Sequence, residues 1–258
     1  MGDLCDSKPF RNYFEIYKDF KLESKIPEFN RFLRKINKFI VTDNSTKIFE
    51  IGTGNGWFQI LCVKNGLAAS GIDVVPHNIE FANKLAESNG QNIDITLGSI
   101  EDTFIGSSEY DVIMALSVFE HVRDWKKGLM NSYNALKPNG ILFFISTNKF
   151  SLISGEYRFP FYGWLPRFIR FKLRAWFQGK EALSYNLDFN QFNYFQLRRF
   201  FKKLGFSKIH DIWDIIDIDD FSNSDLVKIY AMKFVKNSKL LRKLLLWLLP
   251  ITYFVCIK

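Results

Sequence analysis

Three glycines at alternate positions follow a short apolar run, and this feature limits the possible folds of the chain most strongly. The stretch FEIGTGNGWF covers residues 49–58 and holds Gly52, Gly54 and Gly56. Glycines spaced in this way predict a sharp turn whose backbone lets another group come close. The apolar run KIFEI leads into the turn and the helical pattern GWFQILCVKNG follows it. We therefore expect a strand, a turn and a helix, with the backbone N–H groups of the turn facing a ligand.

Strand and helix patterns alternate beyond this turn. LAASGIDV, NIDITLG, YDVIMALSVF and ILFFIST are typical of strands, whereas PHNIEFANKLAESNG and WKKGLMNSYNALKPNG are typical of helices. Farther on, the pattern NYFQLRRFFKKLGF predicts a helix, and SKIHDIWDII and DLVKIYAMKFV predict two closing strands. The alternation predicts an α/β fold with a mostly parallel sheet of seven strands and helices on both faces.

The chain divides into three parts on this interpretation. Residues 1–44 form an N-terminal helical cap, residues 45–235 form the α/β domain, and residues 236–258 form an apolar C-terminal tail. Within the α/β domain, residues 148–190 interrupt the rhythm and are expected to be an insertion.

Three classes of ligand compete for a glycine-rich turn. The phosphate-binding loop of nucleotide hydrolases needs GxxxxGK followed by Ser or Thr, and that lysine is missing here. The dinucleotide fingerprint GxGxxG needs a third glycine for close packing, but Trp57 stands there. The remaining pattern is E-x-G-x-G-x-G, which begins at Glu50.

This pattern resembles the first motif of the class I S-adenosylmethionine-dependent methyltransferases. Further landmarks follow in the family's order, namely Asp73 roughly 20 residues on, GSIED at 98–102, YDVIMALSVFEHV and NALKPNGILFFIST. The resemblance covers about residues 45–147 and is greatest to the ubiquinone-pathway O-methyltransferases. It implies a Rossmann-like sheet and S-adenosyl-L-methionine as cofactor.

The resemblance also implies a role for each cofactor residue. Asp73 would accept hydrogen bonds from both ribose hydroxyls, and Val74 would pack against the adenine. Glu50 would orient the cofactor's amino group or brace the loop. Ser99, where the family often has an acid, and Ile100 would edge and cover the adenine. The expected cofactor-binding residues are Glu50, Gly52, Thr53, Gly54, Gly56, Asp73, Val74, Ser99, Ile100, Leu116 and Ser117.

His121 follows the fourth predicted strand, beside the expected reaction centre, and Glu120 precedes it. His121 could accept a proton from a hydroxyl acceptor, with Glu120 orienting it. The alternative is that EHV begins the next helix and His121 only shapes the pocket. The ubiquinone-pathway relatives have an E-x-x-E-H arrangement associated with a metal. Ser117 replaces the first acid here, so no metal site is expected.

The insertion mixes aromatic and basic residues, and the chain as a whole carries a formal net charge of +8. A helix that starts near Pro166 would place Arg167, Arg170 and Arg174 on one face. Such a helix suits a lid or acceptor site, or contact with an anionic membrane surface. Nucleic acid is a third and less favoured partner.

The tail LLRKLLLWLLPITYFVCIK is apolar, but its uninterrupted part, Leu244–Ile257, is shorter than a bilayer-spanning helix. We expect a helix that lies in the membrane interface or docks on the insertion, and a core helix is the alternative.

The three cysteines, Cys5, Cys62 and Cys256, have no metal-binding spacing, which favours a reducing compartment. The start of the chain shows no secretory signal. The expected location is the cytoplasm, with the insertion and tail allowing peripheral attachment to the inner face of the membrane.

The resemblance implies O-methylation of a small lipid-linked, quinone-like or glycolipid acceptor. An RNA or protein methyltransferase and a non-catalytic, cofactor-binding membrane adaptor are the alternatives. The sequence does not predict an oligomeric state.

Overall fold

The computed structural model of the protein describes residues 20–154, 159–178, 190–216 and 226–258. The strands are β1 Lys47–Ile51, β2 Ala68–Asp73, β3 Asp94–Leu97, β4 Tyr110–Leu116, β5 Leu136–Thr147, β6 Lys208–Asp211 and β7 Ile251–Ile257. The α-helices are α1 Ile26–Asn37, α2 Trp57–Lys64, α3 Pro76–Ser88, α4 Trp125–Ala135, α5 Arg167–Gln178, α6 Tyr194–Leu204, α7 Ile212–Ile215, α8 Leu226–Asn237 and α9 Lys239–Leu248. Short 3₁₀ turns cover Leu22–Lys25, Phe119–His121 and Tyr162–Trp164.

The strands form one seven-stranded sheet in the order β3-β2-β1-β4-β5-β7-β6. In the part of the sheet with the order β3-β2-β1-β4-β5, each strand is parallel to its neighbours. Strand β7 is antiparallel to both β5 and β6. The mostly parallel, Rossmann-like sheet predicted from the alternating pattern is confirmed. Because β1, β2, β4 and β5 run parallel, their carboxyl ends meet on one side of the sheet, which we call the carboxyl edge.

A hydrophobic core covers each face of the sheet. Phe143 and Phe144 are neighbours on β5 and both are fully buried, yet they belong to different cores. Successive side chains on a strand point to opposite faces, so this pair shows that helices cover both. Phe144 packs with α4 and α6 through Leu129 and Phe201, while Phe143 shares its core with residues of α1, α2 and α3.

The described part of the N-terminal region packs onto the domain. The turn Leu22–Lys25 leads into α1, which buries Phe29 and Ile36. The Phe29 ring lies 5.6 Å from that of Phe58 on α2. Residues 1–19 of the predicted helical cap lie outside the described residues.

The predicted end of the chain is wrong in two respects. The stretch DLVKIYAMKFV is predicted to be a closing strand, but from Leu226 onward it forms the helix α8. The seventh strand is Ile251–Ile257, where the sequence analysis predicts an apolar helix. Pro250 ends the helical segment, and the residues that follow are rich in the β-branched and aromatic types that strands favour.

The tail therefore has two structures. Its first part, α9, is a helix that buries Leu246, and its second part, β7, lies inside the sheet with Thr252–Cys256 buried. In the described ranges, we find no helix with the length and apolar character that crossing a bilayer requires.

Candidate active site

The glycine-rich turn connects β1 to α2 at the carboxyl edge. Gly52, Gly54 and Gly56 all have left-handed backbones, with φ of +72°, +54° and +72°. Residues with a Cβ adopt this region at a cost, so the alternate glycines are required by the path of the chain. Gly56 is the N-cap residue of α2, as predicted.

Two of these glycines also lie where a side chain would collide. A Cβ on Gly52 would stand 2.7 Å from Cγ2 of Val118, and one on Gly56 would stand 2.7 Å from Cβ of Ala82. The first contact joins the turn to the loop after β4. Val118 was not predicted as a site residue, and its apolar side chain gives no sequence signal for this role.

Asp73 ends β2 and holds the turn. Its Oδ2 accepts a hydrogen bond from the Gly54 N–H at 2.8 Å, and its Oδ1 accepts one from the Val75 N–H at 2.9 Å. Burial raises the pKa of this carboxyl, and the hydrogen bonds from Val75 and Gly54 oppose that rise. The Asn78 side-chain amide also donates to Oδ1, at 3.3 Å. A carboxylate offers about four acceptor positions, so Oδ2 keeps capacity for a further donor.

Glu50 lies beneath the turn, in a group of buried polar side chains. Its Oε2, the Thr53 hydroxyl and both amide atoms of Gln59 are shielded from solvent and have no hydrogen-bond partner among the described residues. Burial, and then the charge of Asp73, raises the pKa of the Glu50 carboxyl well above its usual range. Glu50 therefore lies under the loop, where the bracing role left open by the sequence would act.

Gln59 is a site residue that the sequence reasoning missed. It is fully buried on α2, and a Cβ on Gly71 of β2 would collide with its amide nitrogen. The available signal was a single amide among the apolar residues of WFQILC, on the first turn of the helix that follows the glycines.

The residues expected around the adenine fall into two groups. Val74 is 63% exposed directly after Asp73, and Ser99 is half-buried. Ile100 is only 3% exposed and belongs to the core beneath α4, where its side chain approaches Gly128. Val74 and Ser99 are thus accessible at the carboxyl edge, whereas most of Ile100 is inside the protein.

The end of β4 has an unusual backbone. Leu116 is half-buried, and the exposed Ser117 has a left-handed φ of +53°. The Ser117 N–H donates to the Ile145 carbonyl at 2.8 Å. Few residues other than glycine adopt this conformation, and those that do often belong to functional sites.

Glu120 and His121 lie in the 3₁₀ turn Phe119–His121. Glu120 is 1% exposed, and its Oε2 accepts a hydrogen bond from the Ser146 hydroxyl at 2.8 Å. His121 is half-buried. The turn is also held by Asn190, whose amide donates to the carbonyls of Phe119 and Val122 at 3.2 and 2.6 Å. Neither Ser146 nor Asn190 was predicted, because their partners are close only in the fold.

Within the described ranges, no group of three or more His, Cys, Asp or Glu side chains is arranged to hold a metal ion.

The insertion differs from the prediction in its arginines. Its helix α5 begins directly after Pro166, as expected. Arg167 is exposed, and its Cζ lies 5.0 Å from the Phe171 ring centroid. Arg170 is only 6% exposed, so it is not available for the predicted contact with an anionic membrane surface. Arg174 belongs to α5, but its side chain lies outside the described part.

The insertion and the tail meet in an aromatic cluster, which we define as Phe150, Phe161, Trp164 and Trp247. The Phe150 ring lies 5.5 Å from Trp164 and 5.3 Å from Trp247 on α9. Phe161, Trp164 and Trp247 are 52%, 45% and 38% exposed. The helical part of the tail is therefore docked on the insertion, and the contact leaves an apolar surface open.

Comparison with known proteins agrees with this geometry. Residues 23–211 match the family model described as a methyltransferase domain. The ubiquinone biosynthesis O-methyltransferase of Pelagibacter ubique is 27% identical over 236 residues, which are 89% of each chain. That of Actinobacillus pleuropneumoniae serotype 5b is 33% identical over 108 residues, 40% of this chain and 46% of the relative. In several other matches to enzymes of this name, the aligned part likewise spans about half of the relative's length.

Among solved structures, phosphoethanolamine N-methyltransferase 2 of Haemonchus contortus, in complex with S-adenosyl-L-methionine, superposes with a TM-score of 0.61. The match covers 99% of this chain and 59% of that chain, at 16% identity. This likeness supports the fold.

Proposed function

The chain belongs to the methyltransferase domain family, and from that premise we propose that it transfers the methyl group of S-adenosylmethionine to an oxygen atom of a small acceptor. One observation carries the proposal. Three left-handed glycines lie at the carboxyl edge, and the N–H of the middle one is bonded to Asp73. This arrangement gives a narrow backbone turn beside a carboxylate whose Oδ2 can accept a further hydrogen bond.

The residues at this edge fit the cofactor. The turn has no Cβ atoms at Gly52, Gly54 and Gly56 to obstruct a close ligand. Asp73 would accept from the ribose hydroxyls, and the exposed Val74 would cover one side of the adenine. Glu50 and Gln59 would support the turn from below.

The bound cofactor supplies a methyl group on a positively charged sulfur, which is open to attack by a nucleophile. The chain must therefore position the acceptor oxygen in line with that methyl group and remove its proton. His121 is half-buried in the turn after β4, and we assign it the role of base. Ser146 and Asn190 hold the turn that carries it.

The acceptor in our proposal is quinone-like or otherwise lipid-linked. Two observations support this class. A relative aligned over 89% of the chain is a ubiquinone biosynthesis O-methyltransferase, and the aromatic cluster gives the protein an exposed apolar surface formed by the insertion and α9. Tryptophan is well suited to a membrane interface, and the exposed Arg167 could meet anionic headgroups.

Two measurements test the function. Titration with S-adenosylhomocysteine should show binding, and incubation with methyl-labelled cofactor and a lipid extract should place label in the organic phase. Label found only in RNA or protein would contradict the proposed acceptor, and absence of cofactor binding would contradict the enzyme assignment.

The His121→Ala variant should bind S-adenosylhomocysteine normally and turn over more slowly by a factor on the order of 100. His210→Ala is a matched control, because His210 is a half-buried histidine on β6, which β5 and β7 separate from β4 in the sheet. Weakened cofactor binding with unchanged turnover at saturation would assign His121 a structural role.

A further inference from the structure

The inner side of α5 carries a buried cation. Arg170 is 6% exposed, and its Nε and Nη1 atoms are shielded from solvent and have no hydrogen-bond partner among the described residues. Its Cζ lies 5.8 Å from the centroid of the Tyr162 ring. Arg167, one turn earlier on the same helix, is exposed.

Such a group is unfavourable as it stands. A guanidinium that leaves water loses its hydration, and a protein recovers this loss only with acceptors for the N–H groups and a compensating negative charge. The Tyr162 ring attracts a cation but accepts no hydrogen bonds in the plane of the guanidinium. The shielded N–H groups therefore remain available to an anionic ligand.

The attachment points of the insertion place this arginine near the carboxyl edge. The insertion leaves the sheet at the end of β5, and Gly163, next to Tyr162, packs against the backbone of Lys149. The chain returns at Asn190, whose N–H donates to the Glu120 carbonyl at 3.0 Å. The segment that carries Arg170 is thus anchored at the ends of β4 and β5, on the edge that also carries Ser117 and His121.

We propose that Arg170 binds an anionic group, a carboxylate or a phosphate, on the methyl acceptor and so selects acceptors that carry one. The planar fork of an arginine matches both groups with two parallel hydrogen bonds. The inference rests on the proposed function, because it takes the carboxyl edge as the acceptor site. The residues assigned to the cofactor lie at the ends of β1, β2 and β4 or in the loops after β1, β2, β3 and β4, whereas Arg170 belongs to the segment after β5. This position favours the acceptor as the source of the anion.

The experiment uses the full chain and three variants, Arg170→Met, Arg170→Lys and the matched control Lys172→Met, which removes an exposed cation from the same helix. Thermal unfolding is followed with benzoate, a carboxylate on a ring, and with inorganic phosphate, while chloride keeps the ionic strength constant. We expect at least one of these anions to raise the unfolding midpoint of the wild type and of Lys172→Met. Arg170→Met should lose the response, with apparent affinity lowered about tenfold or more, and Arg170→Lys should keep part of it.

Without an added anion, Arg170→Met should unfold at a higher temperature than the wild type, because it removes a buried charge that lacks acceptors. A fall in midpoint for both Arg170 variants, or failure of both to fold, would show that Arg170 is structural and overturn the proposal. An equal anion response in Arg170→Met, or no anion response in the wild type, would overturn it as well.

A parallel titration with S-adenosylhomocysteine separates the two sources of a carboxylate. Arg170→Met should bind it with unchanged affinity, and a loss of tenfold or more would assign the arginine to the cofactor instead. If the wild type failed to bind S-adenosylhomocysteine, the proposed function would be contradicted. The anion response is measured without the cofactor, so it tests the role of Arg170 independently of that result.

Discussion

Asp73 connects the two parts of the cofactor site, because one carboxyl holds the glycine turn and keeps an acceptor position on Oδ2. Asp73→Ala should weaken S-adenosylhomocysteine binding by on the order of 2–4 kcal/mol, since two charge-assisted hydrogen bonds are lost. Calorimetric titration measures this change. Asp94→Ala, which removes an exposed carboxyl from the neighbouring strand β3, should bind normally. Equal affinity in the wild type and Asp73→Ala would remove Asp73 from the site.

The buried Glu50 carboxyl makes stability depend on pH. Burial raises its pKa well above the usual 4.5, so the folded protein keeps a proton that the unfolded chain has already released. The folded state therefore loses stability, relative to a variant without this carboxyl, as the pH rises above the ordinary glutamate pKa. We expect the free energy of unfolding of the wild type to fall relative to Glu50→Gln between pH 5 and pH 8.

Urea unfolding of both proteins at the two pH values checks this prediction. The Glu50→Gln side chain keeps the shape of the glutamate and cannot ionise, so the comparison isolates the charge. A difference between the two proteins that is the same at pH 5 and pH 8 would show that the carboxyl titrates normally.

The turn between β1 and α2 combines backbone strain with crowding, and the chain offers a control that separates them. Gly52 and Gly66 have nearly equal left-handed φ values, +72° and +75°, but only Gly52 faces a neighbour, Val118, within contact distance. Gly66→Ala should cost about 1–2 kcal/mol of stability through the backbone alone and leave cofactor binding intact. Gly52→Ala should cost more and should also abolish binding, because the turn must shift away from Val118.

Urea unfolding and S-adenosylhomocysteine titration of the two variants give the comparison. If both variants lost the same stability and both bound the cofactor, the contact between the turn and the loop after β4 would contribute neither to stability nor to cofactor binding.

The elements of the first half could be predicted because each has a local signature. The glycines, the strand pattern before them and Pro76 at the start of α3 define their own boundaries. At the end of the chain Pro250 is such a signature, but the residues on both sides of it are apolar, and a strand buried on both faces is as uniformly apolar as a buried helix. Ser146, Asn190 and Gln59 escaped prediction for a different reason: their roles depend on partners that only the fold brings near.

Strand β7 pairs with both β5 and β6, so the stability of the sheet depends on its packing. Phe254 is fully buried there, and its ring stacks on Tyr194 at 5.0 Å and contacts Phe201 at 5.2 Å. Phe254→Ala should lower the free energy of unfolding by about 3–5 kcal/mol, through lost burial and an unfilled cavity. Phe234→Ala, which truncates a 69% exposed ring on α8, should change it by no more than about 0.5 kcal/mol. Urea unfolding followed by circular dichroism gives both values.

Removal of residues 251–258 should leave a chain that does not unfold cooperatively, because β6 would lose its partner strand. A truncated protein with native circular dichroism and a cooperative transition would contradict the structural role of β7.

The aromatic cluster joins the insertion to α9, and its partly exposed rings form an apolar surface on the protein. We expect the full chain to pellet with anionic vesicles and to be partly released by salt, which screens exposed charges over about 8–10 Å near physiological ionic strength. Replacing both Trp164 and Trp247 by alanine should weaken the salt-resistant part, and Arg167→Gln the salt-sensitive part. Phe104→Ala, which removes an 82% exposed ring outside the cluster, is the control.

Vesicle sedimentation at low and high salt measures both parts. A wild-type protein that stayed in the supernatant with anionic vesicles at low salt would exclude the membrane contact and leave the insertion as a substrate lid.

The late position of β7 in the chain also sets the order in which the protein can be completed during synthesis. About forty residues separate the end of β6 from the start of β7. At a translation rate of about 5–20 residues per second, β7 is synthesised seconds after β6. Until then, β6 and one edge of β5 lack the strand that pairs with both of them. During that interval the nascent chain exposes unpaired backbone and apolar side chains such as Phe144 to the cell. The stretch ITYFVCI thus closes the sheet last, and a ribosome-bound chaperone would meet this protein with an open sheet edge until that stretch has left the exit tunnel.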